Sequence, residues 1–469
     1  MAGFLREIPE NVRNVLRVAR LRPFDTASDE GRSRERYRRI VLGTAASLLA
    51  RLISAVGGLV IVPIMLHHAG KDGYGLWVAA GSLAAWVSLL DPGLSAGLLN
   101  GVAEAEGRDD RLQARSLFST ALYTLGLVAI LALLAFGALA SSIDWRALIH
   151  FPDNVARSDV TWTFAACFGL AILTLPFGTV TQVYMGSQRA YLAMTFATLG
   201  SLASLGALIA SASLDASLPV LSSAVAIGGL VAGLIGFVHL VNREMPWMRP
   251  RFADIAPVRY RRLFASAAPL YAFQVGSLLV NQSQSLVLAR RAGLGSVAAY
   301  DLLWRFVILG VGLVTLGTGA AFPTFREAWE RGDRTWMRRA FWHVVRLRLG
   351  LALGGCVVLL LFGNTILRLW LGTSDFQYSL ADWMLAAAII GAAVWTSAFL
   401  ELLSVLDRIW VQIPLVLLQG LLTTYLTWLL VSSLGIRGAL IGSLVPSVGL
   451  ACWVFPWLAW DLVATKRRN

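Results

Sequence analysis

Apolar residues gather in about a dozen long blocks between Ile40 and Trp460, separated by short polar stretches. A helix that crosses a bilayer needs ~20 mostly apolar residues, because hydrocarbon offers no water to its backbone amides. The blocks reach that length and predict spans near 40–66, 74–98, 117–141, 160–185, 191–213, 219–241, 263–288, 297–322, 342–367, 381–403, 411–433 and 437–460. Two are interrupted: the second by Asp91-Pro92-Gly93, the seventh by Asn281, Gln282 and Gln284. A chain that is 57% hydrophobic with a mean hydropathy of +0.67 carries more apolar surface than a soluble core of 469 residues would bury. The predicted class is an all-α polytopic membrane protein with about 12 transmembrane helices.

Charge sets the orientation. The chain has 40 Lys+Arg against 27 Asp+Glu. With the N-terminus on the cytoplasmic side, 29 of the basic residues fall in cytoplasmic segments and seven on the opposite side. That asymmetry is the one insertion imposes, so both termini are expected in the cytoplasm and no nucleic-acid partner is expected. The polar N-terminal arm, 1–39, contains acidic residues and is unlike a signal peptide. Within it Ile8, Val12, Val15, Leu16 and Ala19 recur at helical spacing opposite Arg13, Arg17 and Arg20. This suits either an interfacial helix on anionic membrane lipids or a solvated tail. Cys167, Cys356 and Cys452 lie in apolar blocks, and the five histidines form no ligand spacing, so no metal site or cofactor is expected. The extramembrane segments are short and lack paired carboxylates, a nucleophile elbow or a phosphate loop, so no enzyme is expected.

An ungapped shift of 223 residues lays part of the chain on itself. Ala69-Gly70 meets Ala292-Gly293, and Glu104-Ala105 meets Glu327-Ala328. Arg108, Asp110, Arg111, Arg115 and Phe118 meet Arg331, Asp333, Arg334, Arg338 and Phe341. The offset relates the second span to the eighth and predicts two six-helix lobes related by pseudo-two-fold symmetry about the membrane normal, with substrate between them. The divisions are an arm at 1–39, a first lobe at 40–241, a Pro- and Arg-rich linker at 242–262, a second lobe at 263–461 and a tail at 462–469.

Particular residues then point to a family. Pro63-Ile64-Met65-Leu66, Gly70, Tyr74-Gly75-Leu76-Trp77, and Ser88-Leu89-Leu90-Asp91-Pro92-Gly93-Leu94 with Gly97 resemble the opening of polysaccharide transporters. Gly186-Ser187-Gln188-Arg189-Ala190-Tyr191 and Leu434-Gly435-Ile436-Arg437-Gly438-Ala439 resemble later turns of the same family. These are O-antigen and exopolysaccharide flippases of the Wzx type, in the MATE-like (MOP) exporter superfamily. The resemblance implies a bacterial inner-membrane flippase. Its substrate would be a polyprenyl-pyrophosphate-linked oligosaccharide, and polysaccharide assembly proteins would be its partners. A MATE-type drug or metabolite antiporter is the alternative, and a membrane glycosyltransferase or polymerase a more distant one.

Charges inside spans are costly and are functional candidates by default. Arg51, mid-span with no acidic neighbour on its own helix, could meet pyrophosphate, snorkel, or pair with a distant carboxylate such as Asp91. Arg305 follows Asp301 by four residues, the spacing of a helical ion pair, and either neutralises it or contacts substrate. Asn281, Gln282 and Gln284 suit a sugar-binding cavity or interhelical bonding. Asp91-Pro92-Gly93 would break or hinge the second helix, and Asp91, Asp301 and Glu401 are candidates for coupling to H+ or Na+. Glu401 otherwise reads as interfacial, close to Asp407 and Arg408. Arg346 and Arg348 read as snorkelling cations, or as a cytoplasmic entry for anionic lipid.

Overall fold

The computed structural model describes the backbone of residues 29–140, 142–143, 149–150, 156–255, 258–316 and 322–464. The expected amphipathic helix in the arm and the last residues of the tail lie outside these. Among the described residues every regular element is helical, as an apolar surround demands. Ten helical runs among the described residues are long and apolar enough to cross a membrane. Their outward faces carry large apolar side chains, Leu134, Leu353 and Leu361 among them, each about two-thirds exposed. Water penalises a surface of that kind and a bilayer covers it.

The first helix, α1, runs Asp29–Ala84, so helix begins well before the expected boundary at residue 39. Its apolar run, Ala46–Leu90, has 45 residues, which at ~1.5 Å each is over twice the ~30 Å of a hydrocarbon core. Non-helical dihedrals at Gly70 divide it (φ 68°, ψ −178°). A 3-10 turn over Ala85–Leu90 follows, and the chain bends at residues 91–93 before α2, Leu94–Gly107. The expected second span is thus broken where Asp91-Pro92-Gly93 falls. The first half is completed by α3 (Arg111–Ala140), α4 (Arg157–Gly186), α5 (Ala190–Ser213) and α6 (Leu218–His239). The second half holds α7 (Val258–Arg291), α8 (Leu294–Leu316), α9 (Phe322–Glu330) and α10 (Arg334–Leu371). It ends with α11 (Leu380–Val405), α12 (Ile409–Leu434), α13 (Ile436–Pro446) and α14 (Cys452–Ala464).

Local geometry repeats between the halves. Gly70 and Gly293 both have positive φ, as do Asp109 and Gly332, each pair 223 residues apart. Asp110 Oδ1 accepts from Gln113 N at 2.9 Å, and Asp333 Oδ1 from Trp336 N at 3.0 Å, so both helices that follow start on the same cap. Just before them stand matching ion pairs, Arg108–Glu104 and Arg331–Glu327. Further along, Arg189 N donates to Tyr184 O and Arg408 N to Leu403 O, each at 2.8 Å after a left-handed residue. These turns fix where each helix stops and reverses.

The cores show how the halves meet. At the end of the bundle that holds Gly70, one apolar cluster spans both: Val62, Met65, Tyr74 and Leu76 pack with Leu288, Leu294, Val297 and Leu302. Contact there is so close that a Cβ on Gly75 would lie 2.0 Å from Leu294 O. At the opposite end, where the linker lies, the clusters are separate. One holds Leu98, Phe118, Val183 and Met248 of the first half, the other Phe325, Phe341, Phe399 and Phe455 of the second. The linker itself is no loose tether. Asp254 is paired with Arg115 at 2.8 Å, Phe252 stacks on Tyr123 with centroids 3.9 Å apart, and Arg251 N donates to Ser119 Oγ at 3.2 Å. Up to Ile255 it is a strap bound to α3.

Candidate functional site

Proline 63 begins the site. It has no amide hydrogen, so the carbonyl of Leu59, one turn earlier, loses its helical partner. Trp370, at the end of α10 in the other half, donates its Nε1 to that carbonyl at 2.8 Å. The neighbouring Gly58 carbonyl accepts from Arg305 Nη1 at 3.4 Å. Arg305 Nε in turn donates to Asp301 Oδ2 at 2.7 Å and to the Tyr74 hydroxyl at 3.1 Å, and that hydroxyl donates to the same carboxylate. Arg305 and Asp301 are about four-fifths buried. An ion pair so placed is tolerable because its charges meet each other and are further hydrogen-bonded by the Tyr74 hydroxyl and the Gly58 carbonyl. The guanidinium also lies 5.8 Å from the centroid of the Trp77 ring. One side chain of α8 therefore holds two segments of α1 across the interface.

Asp301 and Arg305 line a cavity of about 440 Å³ with Trp77, Ser82, Cys167 and Gln282. A second chamber, about 560 Å³, holds Asp91, Ser95, Gln182, Tyr271 and Gln274. The two share Ala84, Ala85, Ala171 and Ala226, so they adjoin between the halves, largely apolar in lining with polar side chains set into it. The carboxylate of Asp91 accepts from Gly93 N at 3.1 Å and from Ser95 N at 3.3 Å. It caps the start of α2, where unpaired amides and the helix dipole favour a negative charge. Tyr271 donates its hydroxyl to Leu89 O at 3.0 Å, and Gln274 Nε2 to Ser88 Oγ at 2.9 Å. The 3-10 turn of the first half is thus bonded to α7 of the second.

The expected residues divide. Arg305, Asp301, Gln282, Asp91 and Gly93 line the space; Pro92 shapes the bend beside it. The side chain of Arg51 is outside those described. Asn281 is exposed and donates to Ser277 O on its own helix at 2.8 Å. Gln284 is fully buried and bonds Ser443 Oγ at 3.2 Å, which is interhelical bonding away from the cavity.

Arg348 departs most from its snorkelling reading. Its side chain is 1% exposed and is gripped by Glu401, Nη1 to Oε1 at 3.2 Å and Nη2 to Oε2 at 2.8 Å. The Phe322 ring lies 5.0 Å from the guanidinium. A bidentate carboxylate and an aromatic face make burial affordable where spacing alone suggests exposure. Glu401 is accordingly a partner within the second half rather than part of a charged rim with Asp407, which pairs with Arg326 instead. Arg346 does point outward. Tyr74, Gln182, Tyr271, Gln274 and Trp370 were missed. Only Tyr74 carried a signal, standing in the Tyr74-Gly75-Leu76-Trp77 run.

Comparison with known proteins adds context. A sequence model described as polysaccharide biosynthesis protein matches residues 40–329. A Salmonella typhimurium (strain LT2) protein described as an O-antigen transporter is 22% identical over 428 residues, covering 89% of this chain and 95% of that protein. Among solved structures, an inward-facing multidrug resistance MATE family transporter of the MOP superfamily aligns with a TM-score of 0.68 at 16% identity. It covers 88% of this chain and all of that one. An outward-facing MATE family transporter aligns at 0.62 with 17% identity, covering 90% and 94%.

Proposed function

The chain belongs to the polysaccharide biosynthesis protein family, and from that premise we propose that it is a flippase for a lipid-linked oligosaccharide in surface polysaccharide assembly. The observation that carries the reading is the space between the halves, set with Asp91, Gln182, Gln274, Gln282, Asp301 and Arg305 and closed at the Gly70 end by a seal that includes the Arg305–Asp301 pair. A glycan head group needs such a space, while its lipid tail can stay in the bilayer.

We take the α1 run as two crossings, divided at Gly70, and α7 as a further one. The count is then twelve, six in each half. On the asymmetry of basic residues we assign both termini and the linker to the cytoplasm and the Gly70 end to the outside; a bacterial inner membrane is the setting the family resemblance implies. In this state the outer seal is made, and the halves keep separate cores on the cytoplasmic side. Transport requires the seal to part and the cytoplasmic ends to close, the two-lobed alternation of such folds. The pair at Arg305 stands at the hinge of that exchange, since it lines the cavity and holds the seal at once. Asp91, Asp301 and Glu401 remain the carboxylates through which H+ or Na+ would act, and Arg51 a candidate for the carrier's pyrophosphate. Arg346 and Arg348 remain candidates for a cytoplasmic lipid entry, Arg346 being the more exposed.

Deleting the gene tests the proposal. Loss of surface polymer, with complete lipid-linked units held on the cytoplasmic leaflet, is the expected result. Intact polymer with new sensitivity to cationic compounds would move the chain to drug export.

A further inference from the structure

We propose that the cavity selects uncharged glycans: this chain carries oligosaccharide units free of uronate or other ionised substituents, held by Gln182, Tyr271, Gln274 and Gln282. This rests on the flippase reading above. Three side chains from the described residues that ordinarily carry charge near neutral pH line the two chambers, Asp91, Asp301 and Arg305. None offers a free positive charge. Arg305 is committed to Asp301, Tyr74 and Gly58. Asp91 is committed to the α2 amides. Counting Arg51 as well would bring the sum to zero and no further. A sugar carboxylate entering this space sheds water and gains two carboxylates as neighbours, with no unclaimed cation among the described residues. Burial of an unpaired charge is strongly unfavourable.

The uncommitted polar atoms suit hydroxyls instead. Gln182 and Gln282 make no hydrogen bond among the described residues, so each amide offers both donors and an acceptor. Gln274 spends Nε2 on Ser88 and keeps Oε1; Tyr271 spends its proton on Leu89 and keeps its lone pairs. Sugar hydroxyls, which both donate and accept, can satisfy such a mixed set. Between the chambers, Ala84, Ala85, Ala171 and Ala226 provide a small apolar floor for the C–H face of a pyranose ring.

The test uses the purified full chain in proteoliposomes with two polyprenyl-diphosphate trisaccharides. They share the same lipid and diphosphate and differ only in a neutral hexose against its uronate. The neutral unit should flip at least about tenfold faster at low salt, the scale on which one charge is discriminated in a partly buried site. Gln182→Lys, which adds a cation to the chamber, should narrow that ratio by raising the uronate rate. Equal rates, or a faster uronate, would overturn the selectivity and leave the flippase reading intact. Movement of neither lipid, with the protein inserted and folded, would sink both.

Discussion

Replacing Gly75 with alanine probes the outer seal directly. The added Cβ would sit 2.0 Å from Leu294 O, against the 3.0 Å below which real Cβ atoms essentially never approach. The neighbour is backbone at the start of α8, so no side chain can swing aside. Gly295, on the same turn, lies beside Lys71 and Asp72, where an added Cβ would come 3.0 Å from Lys71 Cε and 3.3 Å from Asp72 Oδ1. The halves must therefore part by about 1 Å, and overpacking of this kind costs about 1–3 kcal/mol. That energy falls on the sealed state alone, so the ratio of sealed to open molecules should drop by roughly 5- to 150-fold. A Lys71→Cys, Gly295→Cys pair reports it, in a chain whose native cysteines are replaced by serine. Disulfide yield should fall and labelling by an impermeant maleimide should rise when Gly75→Ala is added, with unchanged amounts of protein in the membrane. Undiminished cross-linking together with normal transport would refute the claim that this contact closes the outer side.

Other perturbations read the same network. Trp370→Phe removes the donor to the Leu59 carbonyl and should weaken the seal by about 1 kcal/mol, seen as a smaller shift in the same maleimide assay. Asp301→Asn leaves Arg305 without its counter-charge, so transport should fall while the amount of inserted protein stays near normal; wild-type flipping would remove the pair from the mechanism. Glu401→Gln takes the bidentate carboxylate away from the buried Arg348 guanidinium and should lower stability by about 3 kcal/mol, measured as the melting temperature in detergent. Arg348→Met with Glu401→Gln should recover much of that loss, since an apolar side chain fills the site without an unpaired charge.

Much of the architecture was legible because a bilayer writes its demands into long apolar blocks. The 223-residue repeat was legible for a different reason: turns need particular residues, and Gly70/Gly293 and Asp110/Asp333 keep them at matching places. The Arg305–Asp301 pair follows from helical spacing, and the helix break from Asp91-Pro92-Gly93. What sequence could not supply was partnership over distance. Tyr74 meets Asp301 across 227 residues, Trp370 meets Leu59 across 311, and Arg348 meets Glu401 across 53. No local pattern announces such contacts. Arg348 misled for that reason, since a guanidinium near a span end ordinarily reaches for water. Gln182, Tyr271 and Gln274 stood among apolar neighbours with nothing to mark them until the two halves were assembled.

The strap from Asn242 to Ile255 bears on how the chain is made. Its contacts run backward, to α3, to the end of α6 and, through Glu244, to Arg189 ahead of α5, so they can all form once residue 255 has left the ribosome. The first half would then hold a finished core, closed at the linker end by its own connector, while the second half is still being synthesised. If so, the two pieces on either side of residue 256, expressed as separate chains, should find each other in the membrane and work. Loosening the strap with Arg115→Ala should instead hurt the yield of folded protein more than the speed of the protein that survives.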